Sequence, residues 1–187
     1  ANISILHAPL FHPAMKNVGT IRKELGVKTF FNMLGPMVNP SFPKNQIVGV
    51  FSLELARMYA YLYQNTNVNY TILHSLDGYD EISLTGEAKM ISKNSEALIN
   101  SKTFHLSALH QEEIKGGTTT QESAKMFLDI ISGNGTEAQN QVVLANAGLA
   151  IATVENCSIL DGFEKAKESL YTGKALEKLN KLQQLSR

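Results

Sequence analysis

Residues 46–76 read QIVGVFSLELARMYAYLYQNTNVNYTILHSL. The stretch breaks into three pieces. Gln46 to Phe51 and Asn69 to Leu76 are short apolar runs rich in Val, Ile, Leu and Tyr, the length and composition of buried strands. Between them, Leu53 to Gln64 carries Leu55, Met58, Tyr59 and Leu62 at three- and four-residue steps, the spacing of one helix face. Strand, helix, strand with a single helical crossover is a βαβ unit, so the two strands are expected to be parallel neighbours.

Working outward, Ile3 to His7 reads as a further short strand, running into a turn at Pro9. A helix follows over about His12 to Leu25, with Pro13 in its first turn and Gly26 past its end. Gly35, Pro36, Asn39, Pro40 and Pro43 mark Thr29 to Pro43 as loop-rich. Downstream, Ala88 to Ile99 is expected to hold two short strands. Thr119-x-x-Glu122 is a capping box opening a helix to about Ser132. Three more helices are expected: about Thr136 to Ala152, Ser158 to Thr172 with Gly173 after it, and Lys174 to Leu185. The fold class is therefore α/β, a mostly parallel sheet flanked by helices. A chain that opens on a bare core strand is expected to be truncated at its amino end.

The 187 residues are 43% hydrophobic, enough for one domain with a core. Lys+Arg and Asp+Glu both number 17, so the formal net charge is +0, which argues against a general nucleic-acid binder. Cys157 is the only cysteine, which excludes an intrachain disulfide and a cysteine-rich zinc site. It is expected to be a small buried apolar residue, and one cysteine suits a cytosolic protein. No apolar run approaches the ~18 residues of a transmembrane helix, and the first residues do not have the form of a signal peptide.

Three places could carry chemistry. Arg22 lies seven residues from Met15 on the expected first helix, so the two point within about 20° of each other. Its permanent charge beside an apolar face needs an anionic partner. A structural ion pair, a side chain snorkelling to solvent and a substrate carboxylate gripped by the planar fork all fit. His12, at the start of that helix, could touch the same ligand or simply cap the helix. The second place is Asp77-Gly78-Tyr79-Asp80-Glu81, leaving the carboxyl end of the Asn69 to Leu76 strand, where ligands of open parallel sheets bind. Asp80 and Glu81 are hard oxygen donors that suit Mg²⁺, or else a solvated acidic loop. The third is Asn32-Met33-Leu34-Gly35-Pro36 with Asn39-Pro40, a turn or a bend lining a pocket. Gly116-Gly117-Thr118 and Gly133-Asn134-Gly135 lack phosphate-loop and dinucleotide spacing and read as linkers.

His12-Pro13-Ala14-Met15-Lys16-Asn17-Val18, Arg22-Lys23-Glu24-Leu25-Gly26 and Thr29-Phe30-Phe31-Asn32-Met33-Leu34-Gly35-Pro36 with Asn39-Pro40 resemble the corresponding stretch of anthranilate phosphoribosyltransferases. Asp77-Gly78-Tyr79-Asp80-Glu81-Ile82-Ser83 is similar to that family's later acidic signature. Asn146-Ala147-Gly148 and Asp161-Gly162 continue the likeness. The resemblance implies a large domain of the nucleoside phosphorylase and phosphoribosyltransferase type. It implies a Mg²⁺-dependent, cytoplasmic, homodimeric enzyme of tryptophan biosynthesis that joins anthranilate to 5-phosphoribosyl 1-pyrophosphate. Carried over residue by residue, Arg22 would bind the anthranilate carboxylate, and His12, Met15 and Pro36 would line that pocket. Asp80 and Glu81 would hold Mg²⁺, and no residue takes a proton-transfer role. The family's Gly-Thr-Gly-Gly-Asp phosphate loop and Lys-His-Gly-Asn segment precede the matching region. Residues 1–187 are thus expected to be a carboxyl-terminal α/β portion lacking the amino-terminal helical domain, incomplete and of doubtful activity alone. A pyrimidine nucleoside phosphorylase-like enzyme and a non-enzymatic, nucleic-acid-binding relative are the competing readings.

Overall fold

The computed structural model describes residues 1–12, 24 and 31–186. The chain divides into two compact units, residues 1–43 with 180–187, and residues 44–179. The larger unit holds the βαβ segment. β1 (Asn45–Gly49) and β2 (Asn69–Ser75) are parallel neighbours, with Asn45 opposite Asn69 and Gly49 opposite Leu73. The expected crossover helix is α3 (Leu53–Gln64). Ser52 starts it by accepting the Leu55 N–H at 3.2 Å, which satisfies one orphan donor of the first turn.

The buried stripe of α3 differs from the expected one. Leu55, Ala56, Tyr59 and Tyr63 are buried, whereas Met58 and Leu62 are 44% and 47% exposed. The stripe follows four-residue steps from Leu55 through Tyr59 to Tyr63, turning Met58 and Leu62 outward. Tyr63 anchors it, stacking on Tyr70 of β2 at 5.3 Å and donating its hydroxyl to Gln46 Oε1 at 3.0 Å.

The sheet is completed by β3 (Ala88–Ser92) and β4 (Glu96–Ile99), in the order β1-β2-β3-β4. The α/β class with flanking helices holds. The strand directions are mixed rather than mostly parallel, for β2–β3 and β3–β4 are antiparallel. The connections explain this, because only β1–β2 has a helical crossover, while β3 and β4 are joined through Lys93–Ser95.

Four helices follow: α4 (Thr120–Ile131), α5 (Glu137–Glu155), α6 (Ile159–Tyr171) and α7 (Lys174–Leu185). The capping box expected at Thr119 and Glu122 is formed. Gly173, expected past the end of α6, takes φ +75°, and its N–H reaches the Leu170 carbonyl at 3.1 Å. One apolar cluster joins Leu73, Ile82 and Leu84 to Leu144, Ala145 and Leu149 of α5 and Phe163 of α6. β2 therefore has both faces covered, Ile72 and Tyr70 toward α3 and Leu73 toward α5, which is why it is buried continuously from Tyr70 to Ser75 and does not alternate.

In the smaller unit, α1 (Ala8–Phe11) and α2 (Phe31–Leu34) precede a 3₁₀ turn at Gly35–Val38. The expected strand at Ile3 to His7 is not formed, and Ile3 and Ile5 are 54% and 79% exposed. A strand is a paired state, and no hydrogen-bonding edge engages this run among the described residues. The expected helix from His12 to Leu25 lies almost wholly outside the described residues. Cys157 is a free thiol and only half-buried, short of the core position expected.

Candidate active site

β2 ends at Ser75, and the chain turns at once. The Gly78 N–H bonds to the Ser75 carbonyl at 3.0 Å, and the Ser75 N–H bonds to the Tyr79 carbonyl at 2.9 Å. The Ser75 hydroxyl donates to the Glu81 carbonyl. Asp77 folds back inside the loop, accepting from Ser83 Oγ at 2.9 Å and from the Thr85 hydroxyl. Ile82, 1% exposed, plugs the loop into the core. Gly49, at the end of β1, gives the Asp80 backbone its seat, since a Cβ built there would stand 2.0 Å from the Asp80 carbonyl oxygen. The loop thus lies across the carboxyl ends of the parallel pair, where its strand-end position placed it.

Asp80 and Glu81 are both exposed, and among the described residues neither takes part in an ion pair. Asp77 is already engaged by two hydroxyls, which leaves Asp80 and Glu81 as the available carboxylates of this loop. Among the described residues no group of three or more His, Cys, Asp or Glu side chains converges on a metal position. Two adjacent carboxylates fit a Mg²⁺ ion that takes its remaining ligands from water and phosphate oxygens, and do not fit an all-protein metal cage.

The smaller unit holds a cavity of about 150 Å³ lined by Leu6, Phe11, His12, Gly35, Val38, Asn39 and Pro40. It brings His12 together with the Gly-Pro segment that the sequence marked separately. Pro36, half-buried, belongs to the 3₁₀ turn whose Gly35 and Val38 line the cavity, and is not itself in the lining. Asn39 shapes the next bend by accepting the Ser41 N–H at 3.0 Å and its hydroxyl at 2.7 Å. Arg22 and Met15 lie outside the described residues.

Sequence reasoning gave no role to Gly49, Ser75, Asp77 or Asn146. Asn146, on α5, accepts the Ile82 N–H at 2.9 Å and donates to the Ile82 carbonyl at 2.9 Å. Its signals were an amide side chain amid the apolar residues of a core helix and a place in the Asn146-Ala147-Gly148 stretch of the family likeness, neither of which named a role.

The family model of the glycosyl transferase family, a/b domain, matches residues 1–176. The chain belongs to this family. Within the glycosyl transferases, it is 71% identical over 186 residues to the anthranilate phosphoribosyltransferase of Flavobacterium psychrophilum, and 70% identical to that of Flavobacterium johnsoniae. Each match takes in 100% of this chain and 56% of the relative, so the chain spans little more than half the length of these curated relatives. Solved structures agree. An anthranilate phosphoribosyltransferase of Saccharomyces cerevisiae in complex with 4-fluoroanthranilate superposes with a TM-score of 0.84 at 26% identity, over 95% of this chain and 53% of that one. The Thermus thermophilus enzyme gives 0.83 at 29%, over 91% and 51%. A further Saccharomyces cerevisiae structure, in complex with PRPP and Mg, gives 0.80 at 27%, over 90% and 49%. The resemblance read from the His12 and Asp77 blocks is borne out. Among the described residues no single helix is long and apolar enough to cross a membrane.

Proposed function

We propose that this glycosyl transferase domain forms the acceptor-binding and metal-binding part of an anthranilate phosphoribosyltransferase. In the reaction, the bond from ribose C1 to the pyrophosphate oxygen breaks, a bond from C1 to the anthranilate nitrogen forms, and that nitrogen gives up a proton. The observation that carries the reading is the Asp80–Glu81 pair, exposed on a loop anchored across the carboxyl ends of β1 and β2. Asp80 and Glu81 would hold Mg²⁺, which when bound neutralises the departing pyrophosphate. The cavity at His12 supports a place for the aromatic acceptor. Arg22 would fix the acceptor's carboxylate, and Met15 and Pro36 would border the ring. The amine of anthranilate is already a nucleophile, so these residues orient it and need not deprotonate it. The cytoplasmic homodimer is part of the same proposal and rests on the resemblance.

The test is a pair of variants in the full-length protein. Asp80→Asn with Glu81→Gln should raise the Mg²⁺ needed for half-maximal rate on the order of ten- to a hundredfold. Arg22→Ala removes a charge-assisted pair worth about 1.5–3 kcal/mol. It should therefore raise the anthranilate KM by roughly ten- to a hundredfold while leaving the phosphoribosyl pyrophosphate KM nearly unchanged. An unaltered Mg²⁺ requirement in the first variant, or a large fall in urea midpoint with an unaltered anthranilate KM in the second, would refute the roles given.

A further inference from the structure

We propose that Asn146 of α5 is a positioning residue for the metal-binding loop, holding the backbone beside Glu81 so that the two carboxylates present one fixed pair of oxygens. The inference rests on the reading of Asp80 and Glu81 as the cation site. A carboxylate pair that carries few ligands to Mg²⁺ must be placed by its backbone, because among the described residues no ion pair holds the two exposed side chains. Asn146 is the long-range part of that restraint. Its amide accepts the Ile82 N–H and donates to the Ile82 carbonyl, both at 2.9 Å, closing the two main-chain groups of one residue as a neighbouring strand would. Its Nδ2 also donates to the Val142 carbonyl at 2.9 Å, one turn back, which locks the side chain to its own helix.

The helix is itself fixed. Gly148 and Gly162 bring α5 and α6 into backbone contact, with a Cβ at Gly162 standing 2.2 Å from the Gly148 carbonyl oxygen. Position therefore passes from the α5–α6 crossing through Asn146 to Ile82, and from Ile82 to the adjoining Glu81. Asp77 does the corresponding work from inside the loop, tying its start to Ser83 and Thr85. Asn146 is kept from the metal by its own hydrogen bonds, so its effect is on geometry and not on ligand number.

The experiment measures Mn²⁺, as a paramagnetic stand-in for Mg²⁺, binding to the full-length protein in the presence of pyrophosphate, by electron paramagnetic resonance. Asn146→Asp keeps an acceptor for the Ile82 N–H but loses both donated bonds. It should weaken Mn²⁺ binding about tenfold, in line with residues that orient metal ligands, while the anthranilate KM changes less than twofold. Asp77→Ala, at an exposed position, removes the loop's own tie to Ser83 and Thr85, should weaken Mn²⁺ binding in the same direction and covers the case in which Asn146→Asp fails to fold. The Asp80→Asn, Glu81→Gln variant is the reference. Weakened Mn²⁺ binding in the reference with a folded Asn146→Asp unchanged or, should Asn146→Asp not fold, with Asp77→Ala unchanged, overturns the positioning role and leaves the metal site standing. Unchanged Mn²⁺ binding in the reference overturns the metal site, and the positioning role falls with it.

Discussion

At the carboxyl ends of β1 and β2, polar side chains hold the backbone of one exposed loop, whereas at the opposite end of the sheet they bind one another and the main chain of the elements they join. On the first rim, Ser75 and Asn146 spend their hydrogen bonds on the Glu81 and Ile82 main chain, and Gly49 gives up its side chain to seat Asp80. Two carboxylates are left over. On the second rim, a cavity of about 260 Å³ has Asn69, Thr71, Ser92, Ser95 and Thr153 in its walls. Asn69 Nδ2 donates to Asn45 Oδ1 at 3.2 Å and to the Thr153 carbonyl, Thr71 and Thr153 share a buried hydroxyl pair at 2.7 Å, Thr153 also donates to the Leu149 carbonyl at 2.9 Å, and the Ser92 and Ser95 hydroxyls pair at 2.9 Å. Polar residues of similar kind thus do different work. Where a loop is tied down and its carboxylates are spared, chemistry can be placed; where side chains satisfy each other and the main chain of the elements they join, they stabilise the fold.

The contrast predicts opposite phenotypes at the two rims. The largest effect is expected for Gly49→Ala in the full-length protein. The new Cβ meets the Asp80 carbonyl oxygen at 2.0 Å, and backbone cannot yield as a flexible side-chain tip would. The loop must shift by about 1 Å, which should lower kcat on the order of a hundredfold, with a stability loss of about 1–3 kcal/mol from overpacking. Steady-state kinetics and urea melts on one sample separate the two effects, and near-wild-type turnover would mean the loop's placement is not critical.

A smaller and purely structural effect is expected at the other rim. Thr153→Val strands the buried Thr71 hydroxyl and should cost about 1–3 kcal/mol, while the double change Thr71→Val with Thr153→Val should recover most of it. Kinetic constants should stay unchanged in both. A kinetic defect at this distance from the loop would break the division of labour between the rims.

The smallest effect concerns pH and neither rim. Thr118, through its hydroxyl at 2.5 Å and its N–H at 2.8 Å, and the Thr119 N–H hold the Glu122 carboxyl below the usual carboxylate range. A depressed folded value means the stabilisation is complete above the ordinary carboxylate pKa and is lost as pH falls through the lower, folded one. The protection of amides at the start of α4, measured against their intrinsic exchange rates at each pH, should therefore fall on acidification through that window. Glu122→Gln should flatten the response, and an identical profile in both proteins would remove Glu122 as its source.

Local pattern alone determined the βαβ segment, the capping box at Thr119, the helix over Lys174 to Leu185 and the placement of Asp80 and Glu81 at a strand end. Each depends on neighbours within a few residues, where periodicity, capping and turn chemistry act directly. Only tertiary structure decided the rest. Sequence spacing places Met58 and Leu62 on the core face because it shows that a stripe exists but not which flank meets the sheet. Ile3 to His7 reads as a strand because an apolar run does not reveal whether a pairing edge is available. The strand directions after β2 follow from connections whose geometry is set by packing. Asn146 is 64 residues from Ile82 in the chain, and Gly49 is far from Asp80 in sequence, so neither partnership leaves a local signature. A side-chain amide that holds a distant backbone looks, in sequence, like any other polar residue on a helix; its meaning comes from the loop that folding brings against it.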